Sequence, residues 1–209
     1  MLGPEHPDTA QTLNNLAGLY HQQGLYAEAE PLYYRCLALR ERALGSEHPD
    51  TAQSAHNLAL LRQNQGRHTE AEQLYRRALS IFQGAHGLDH PDVATALNNL
   101  GELYRIQGLY NDAELLLHRA LAVREKVLGP EHPYAALTLI HLAELYCNQA
   151  RYPEAELLFG RALAVREKVL GPDHPDTVSS IRNYAELLRK LGKDGEAEKL
   201  EARGQQARR

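Results

Sequence analysis

The chain has 209 residues, of which 43% are hydrophobic and 24% are charged, a composition typical of globular proteins. Its 27 acidic residues outnumber its 23 lysines and arginines, and the net charge of −4 excludes the basic surface typical of nucleic-acid-binding proteins. No apolar run approaches the roughly 18 residues of a membrane span, and the first residues do not have the layout of a signal peptide. We therefore expect a cytoplasmic protein with neither a nucleic-acid nor a membrane partner.

A five-residue signature, Gly-x-acidic-His-Pro, recurs along the chain at a constant interval of 42 residues. It begins at Gly3, Gly45, Gly87, Gly129 and Gly171. A fixed period of this size is typical of an array of small structural units that stack on one another. The pattern predicts one continuous array over 1–209, with repeats at about 3–44, 45–86, 87–128, 129–170 and 171–209.

The first repeat shows what each unit is expected to contain. Pro7 suits the first position of a helix, and apolar residues then recur at the three-and-four spacing of an amphipathic helix, as at Leu13. Gly24 is suited to the left-handed conformation that ends a helix. A second amphipathic helix, which carries Leu32, is predicted to follow and to stop at Gly45. Each repeat is therefore predicted to be a pair of helices joined by a short turn.

The later repeats keep the same positions. The turn position holds Gly24, Gly66, Gly108, Ala150 and Gly192. A small residue recurs inside the second helix, at Ala29, Ala71, Ala113, Ala155 and Ala197, and predicts a close helix crossing in every repeat. The fifth repeat replaces apolar positions of its second helix by Asp194, Glu201 and Gly204, which predicts a polar C-terminal cap. The first repeat shows no such replacement, so dimerisation through that end is a further hypothesis.

The sequence around His-Pro-Asp-Thr-Ala-x-x-Leu-Asn-Asn-Leu-Ala-x-Leu-Tyr, followed by Gly-x-Tyr-x-Glu-Ala-Glu-x-Leu-Tyr, resembles the tetratricopeptide repeat. The period of 42 residues resembles the subclass found in kinesin light chains and in many bacterial repeat proteins. The resemblance implies an all-α, right-handed solenoid of five helix-turn-helix repeats. It also implies a concave groove, lined by the first helix of each repeat, that binds a protein or peptide.

The groove-facing positions of that family fall on residues that differ from one repeat to the next. They are Gln11, Asn14, His21 and Gln22; Gln53, His56, Gln63 and Asn64; Asn98, Glu102 and Arg105; Leu137, Ile140, Glu144 and Asn148; and Arg182, Glu186 and Arg189. The first two repeats offer amides and histidines, which suit a peptide backbone. The later repeats mix glutamates with arginines, and Leu137 with Ile140 could form an apolar pocket.

Two alternatives to peptide binding stay open on the sequence. The chain could be the structural or regulatory array of a larger signalling protein, or an element that self-associates. An enzyme is disfavoured, because no nucleophile elbow, phosphate loop or dinucleotide motif is present.

Other recurring residues are interpreted as parts of the framework. The five His-Pro histidines lie a full repeat apart, too far to share a metal ion, and are predicted to accept a hydrogen bond from a first-turn N–H. No metal and no cofactor is expected. Cys36 and Cys147 form no CxxC motif, which indicates a reducing environment. Glutamates recur with arginines five residues later, as in Glu30 and Arg35, and predict framework ion pairs or a solvated face.

Overall fold

The computed structural model describes residues 7–206, and the side chains of residues 9–204 within them. That range contains ten α-helices and no strand. The helices are α1 (Pro7–Gln22), α2 (Tyr26–Leu44), α3 (Pro49–Asn64), α4 (His68–His86), α5 (Pro91–Ile106), α6 (Tyr110–Leu128), α7 (Pro133–Asn148), α8 (Tyr152–Leu170), α9 (Pro175–Lys190) and α10 (Asp194–Gln206). The predicted all-α arrangement of five helix pairs is confirmed.

The contacts group the chain into two compact units, one that ends at Leu103 and one that begins at Tyr104. In the first unit, α1 packs on α2, α2 on α3, and α3 on α4. In the second unit, the packing runs in the same way from α6 to α10. Within each unit, these helices thus pack on their neighbours in the chain, as expected for a repeat array. The continuity of one array over 1–209 stays a prediction.

Each first helix begins at its proline, and in the second to fifth repeats the histidine before that proline caps the helix. The Nδ1 atom of His48 accepts a hydrogen bond from the backbone N–H of Asp50 at 3.1 Å. His90, His132 and His174 make the same bond at 3.2, 3.1 and 3.2 Å. The capping role predicted for these four histidines is confirmed, because each ring nitrogen satisfies a first-turn donor that the helix leaves without a partner. The corresponding His6 lies outside the described residues.

Each first helix ends in the same left-handed turn. In the first repeat, Gly24 has a φ of 75°, its N–H donates to the carbonyl of His21, and the N–H of Leu25 donates to the carbonyl of Tyr20. This pair of bonds is the Schellman motif, which satisfies the last carbonyls of a helix. The motif recurs in all five repeats, with φ between 57° and 77° at Gly24, Gly66, Gly108, Ala150 and Gly192.

Ala150 is the one non-glycine residue with positive φ in the described range, at 57°. A Cβ atom in this region is held close to the following carbonyl oxygen, and glycine removes that strain at an entropic cost. We expect Ala150→Gly to raise the free energy of unfolding by about 0.5–1 kcal/mol. Urea denaturation tests this, and Gly108→Ala is the matched control that should shift the midpoint in the opposite direction. An unchanged or lower midpoint for Ala150→Gly would contradict the expectation.

The small residue of each second helix is fully buried, as the sequence predicts. Ala29, Ala71, Ala113, Ala155 and Ala197 all have no exposed surface. Around Ala29, the core of the first unit includes Tyr33, Leu58 and Leu61. A larger side chain at these positions would force the packed helices apart.

A buried arginine near the end of the second helix joins it to the next repeat, and sequence analysis did not identify it. Arg124 Nη1 donates to the backbone carbonyl of Tyr134 at 2.8 Å and to the Thr138 hydroxyl at 2.6 Å. Arg40 and Arg166 make the equivalent bonds, to Asp50 and Ser54 and to Asp176 and Ser180. At the remaining junction, the arginine position holds Phe82 and the hydroxyl position holds Ala96, both buried. The joint replacement of the arginine and the hydroxyl residue at this one junction was the sequence signal that the two residues are in contact.

Ion pairs also connect neighbouring repeats, and they confirm the framework role predicted for the recurring glutamates and arginines. Glu30 accepts a hydrogen bond from buried Arg62 at 2.8 Å and another from Gln65 at 2.9 Å. These two bonds hold the pKa of Glu30 down to about 2. Similar pairs between repeats are Glu41–Arg77, Glu114–Arg151, Glu125–Arg161, Glu156–Lys193 and Glu167–Arg203. These recurring charges therefore belong to the framework, as the sequence indicates, and their partners lie one repeat away, whereas Glu72 pairs with Arg76 of its own helix.

Candidate functional site

Each unit has its own candidate site, the face formed by its first helices: α1, α3 and most of α5 in the first unit, and the end of α5 with α7 and α9 in the second. Here it is called the first-helix face. Of the side chains predicted to line it, the exposed ones are Gln11, Gln22, Asn64, Asn148, Arg182, Glu186 and Arg189. Those half-buried are Asn14, His21, Gln53, Gln63, Glu102, Arg105, Leu137 and Glu144. The positions are therefore mostly accessible, while a role in binding stays a prediction.

Three predicted positions are buried, so the expectation that they line an open groove does not hold for them. His56 is 5% exposed, Asn98 is 0% exposed and Ile140 is 5% exposed. With Ile140 covered, the apolar pocket expected between it and Leu137 does not form. All three occupy the same position of their helices, which in the first and fifth repeats holds half-buried Asn14 and exposed Arg182.

Sequence reasoning missed the residue that follows this position. Asn57, Asn99 and Asn183 are half-buried and lie on the first-helix face. Each residue of an α-helix turns the side-chain direction by about 100°, so in the second and third repeats a shift of one position exchanges buried His56 and Asn98 for accessible Asn57 and Asn99. The available signal was the Asn-Asn pairs of the first and third repeats, Asn14-Asn15 and Asn98-Asn99. Only the first asparagine of each pair was predicted to line the groove.

In the first unit, amides and histidines form hydrogen bonds from one first helix to the next. Asn57 donates to the side-chain oxygen of Asn14 at 2.8 Å, and Asn99 contacts His56 Nε2 at 2.9 Å. Further along, Asn64 contacts His21 Nε2 at 2.7 Å. This ladder of neutral side chains fixes the spacing of α1, α3 and α5, and it leaves further amide donors and acceptors available at the surface.

In the second unit, the first-helix face contains an open cleft of about 210 Å³ where the end of α5 meets α7 and α9. It is lined by Arg105, Glu144, Cys147, Asn148, Phe159, Asn183, Glu186, Leu187 and Lys190. All but Phe159 come from first helices. Four predicted groove residues, Arg105, Glu144, Asn148 and Glu186, are therefore brought together in one place.

The charges of the cleft are paired with one another. Arg105 donates to the Asn148 side chain at 2.8 Å and lies 3.4 Å from a Glu144 carboxylate oxygen. Lys190 Nζ lies 2.8 Å from a carboxylate oxygen of Glu186, and the hydrogen bond that the lysine donates to Glu186 raises the pKa of the lysine. Burial raises the pKa of the Cys147 thiol, which therefore stays protonated at neutral pH. Two cations beside two anions make a cleft that suits polar or zwitterionic groups, and the protonated thiol is a poor nucleophile.

The family's sequence model for the tetratricopeptide repeat matches this chain over residues 8–83, 50–126, 92–168 and 134–209. The chain belongs to the tetratricopeptide repeat family. The matches overlap and cover nearly all of the sequence, which agrees with the five helix pairs and with the alanine positions that they bury. No curated protein matches the chain significantly.

Solved structures of several other proteins resemble this fold. BtubC (BKLC) of P. vanneervenii is 25% identical, with a TM-score of 0.80 over 97% of this chain and 80% of that one. A kinesin-light-chain-type protein of Podosopora anserina with nearly identical repeats is 28% identical, with a TM-score of 0.76 over 97% and 96%. PilF of Pseudomonas aeruginosa, at 20% identity and a TM-score of 0.68 over 95% and 78%, shares the fold alone.

Among the helices of residues 7–206, none is long and apolar enough to cross a membrane.

Proposed function

We propose that this tetratricopeptide protein binds an extended segment of a partner protein along its first-helix face and performs no covalent chemistry. The repeat fold is a scaffold for protein–protein interaction. The cleft of the second unit carries the finer proposal, because it brings side chains of three first helices into one concave site. Clefts of this kind are where a few anchoring contacts supply most of the binding energy of a peptide.

The contrast between the framework and the first-helix face supports the proposal. The framework is nearly uniform: the buried alanines, the turn conformation and the histidine caps recur from repeat to repeat. The first-helix face instead changes from amides in the first unit to paired charges in the second. A uniform frame with a variable face suits the recognition of an extended ligand that is not itself repetitive.

The chemistry of the face indicates what kind of segment would bind. Neutral amides such as Gln53 and Asn57 can donate to and accept from a peptide backbone. In the cleft, Arg105 and Lys190 lie beside Glu144 and Glu186, so an exclusively acidic peptide would meet repulsion. We propose a polar segment of mixed charge, whose acidic group pairs with Arg105 or Lys190. The ligand of this chain is proposed from its own residues and not from the kinesin-light-chain likeness of the Podosopora anserina protein.

A peptide selection with charge-matched variants tests the proposal. Random linear peptides are selected on the wild type, and the affinities of the selected peptides are measured for two double variants. Arg105→Ala with Lys190→Ala removes both cations of the cleft and should weaken binding by at least about tenfold. The control, Arg161→Ala with Lys168→Ala, removes the same charges from α8 outside the cleft and should bind as the wild type does.

Two results would overturn peptide binding in the cleft. One is equal affinity of the cleft variant and the wild type, with circular dichroism showing that both are folded. The other is a selection that returns no related peptide sequences.

Self-association and a role as a regulatory array remain the alternative predictions from the sequence. Self-association through the first repeat is favoured by Leu16 and Leu19 of α1, whose side chains are exposed. A role as the regulatory array of a larger protein would use the same face. A reducing, cytoplasmic location is part of the proposal and is supported by two free thiols, Cys36 and Cys147.

A further inference from the structure

The junction between α4 and α5 brings two histidines and an aspartate together at the surface of the first unit. His86 is the last residue of α4, and His90 caps α5. Their rings are stacked, with centroids 4.1 Å apart and planes inclined by 22°. Asp92 follows in the first turn of α5, with a carboxylate oxygen 3.4 Å from His90 Nδ1 and 3.7 Å from His86 Nε2.

We propose that His86, His90 and Asp92 form a binding site for a divalent transition-metal ion of the zinc type. One ligand atom from each residue lies within 4.8 Å of the other two. Tetrahedral ligands about 2.1 Å from a zinc ion are about 3.4 Å from one another, close to the two separations between nitrogen and carboxylate oxygen. Because an imidazole binds a metal in the plane of its ring and these two rings are stacked, one ring must rotate out of the stack to bring all three atoms to an ion.

The position of His86 sets this junction apart from the others. The same position holds Leu44, Leu128 and Leu170 in the neighbouring repeats, so each of those junctions has only one histidine. The rings of Phe82 and His86 are also stacked, at 6.3 Å and 18°. This contact orients the imidazole towards His90. The sequence predicts no metal site because its His-Pro histidines lie one repeat apart. His86 and His90 instead lie within one junction.

The ligand types indicate which ions would bind. Two imidazoles and one carboxylate suit zinc and its transition-metal neighbours, whereas Mg²⁺ and Ca²⁺ prefer sites built from oxygen ligands. The ion would replace the cap hydrogen bond that His90 Nδ1 accepts from the N–H of Asp92. Loss of one such cap is a small penalty beside the coordination of an ion by three ligands. Three protein ligands leave a fourth position open to water or to a partner's side chain.

Zinc titration by calorimetry tests the site on the complete chain. The wild type should bind one Zn²⁺ per chain, and excess Mg²⁺ should not displace it. His86→Leu carries the leucine of the other repeats and should keep the fold while weakening zinc binding by at least about tenfold. The matched control is His118→Leu, which removes an exposed histidine of α6 outside this group and should leave the affinity unchanged.

Two outcomes would overturn the proposal. One is a wild type that binds no zinc, and the other is a His86→Leu variant that binds zinc with wild-type affinity. A second ligand variant, Asp92→Asn, keeps the shape of the side chain and removes its charge, so it should also weaken binding. If Asp92→Asn and His86→Leu both bind as the wild type does while circular dichroism shows native folds, zinc is held elsewhere on the chain.

Discussion

Replacing Arg124 by alanine is expected to lower the free energy of unfolding by about 2–3 kcal/mol, because hydrogen bonds from a buried charged group are lost together with the packing of its side chain. The guanidinium of Arg124 joins α6 to the first turn of α7 through the Tyr134 carbonyl and the Thr138 hydroxyl. Burial lowers the pKa of Arg124 to about 10, so the group stays protonated near neutral pH and keeps both bonds.

The junction between the second and third repeats supplies the rescue for this variant. There, Phe82 and Ala96 occupy the positions of the arginine and the hydroxyl, and both are buried. The double variant Arg124→Phe with Thr138→Ala copies this apolar solution and should recover most of the lost stability. Arg124→Phe alone should be less stable than the double variant, because it leaves the Thr138 hydroxyl facing an apolar ring.

Urea denaturation at neutral pH measures all three variants against the wild type. Arg161→Ala is a suitable control, since it removes an exposed arginine of α8 that forms a surface ion pair with Glu125. If Arg124→Ala unfolds at the same urea concentration as that control, the buried arginine does not hold the junction together. A double variant no more stable than Arg124→Phe would contradict the expected penalty for leaving the Thr138 hydroxyl beside an apolar ring.

His56 is expected to make the protein sensitive to mild acid. Its ring is 5% exposed, packs 5.1 Å from the ring of Tyr75, and burial lowers its pKa from 6.5 to about 4. A side-chain nitrogen of Asn99 lies 2.9 Å from His56 Nε2, an arrangement that suits an uncharged ring accepting a bond. Protonation would place a charge in this buried position.

The sign of the pH effect follows from the two pKa values. Below pH 6.5 the unfolded chain binds a proton at His56 that the folded chain does not bind until about pH 4. The stability contribution is therefore complete above pH 6.5 and is lost as the pH falls towards 4, by about 3 kcal/mol in all. The carboxylate of Glu30 acts in a separate window, since its pKa of about 2 affects stability only at lower pH.

The variant His56→Asn isolates this effect, because Asn14 and Asn98 occupy the same position in other repeats. Its urea midpoint should change less between pH 7 and pH 4.5 than the midpoint of the wild type. The residual slope includes His21, whose pKa is also lowered by burial. His118→Asn, on an exposed histidine, should keep the full wild-type pH dependence. Equal pH profiles for His56→Asn and the wild type would show that His56 titrates normally in the folded protein.

The helices and their ends were predictable from the sequence because local chemistry determines them. A proline starts each first helix, after a capping histidine in the second to fifth repeats, and a residue suited to positive φ ends it. Such signals act within about one turn of the chain, so five copies of the same pattern read the same way without any knowledge of packing. The exception, Ala150, keeps the turn because the helices on either side hold it in place.

Tertiary structure decided what each side chain contacts. The exchange of roles between buried His56 and accessible Asn57 depends on a rotation of about 100°, which a pattern in one sequence does not resolve. Glu30 pairs with Arg62 rather than with Arg35, because the next repeat places its own helix against α2. The family and its repeat period follow from the sequence. The cleft of the second unit and the group at His86 exist only where neighbouring helices bring separate residues together.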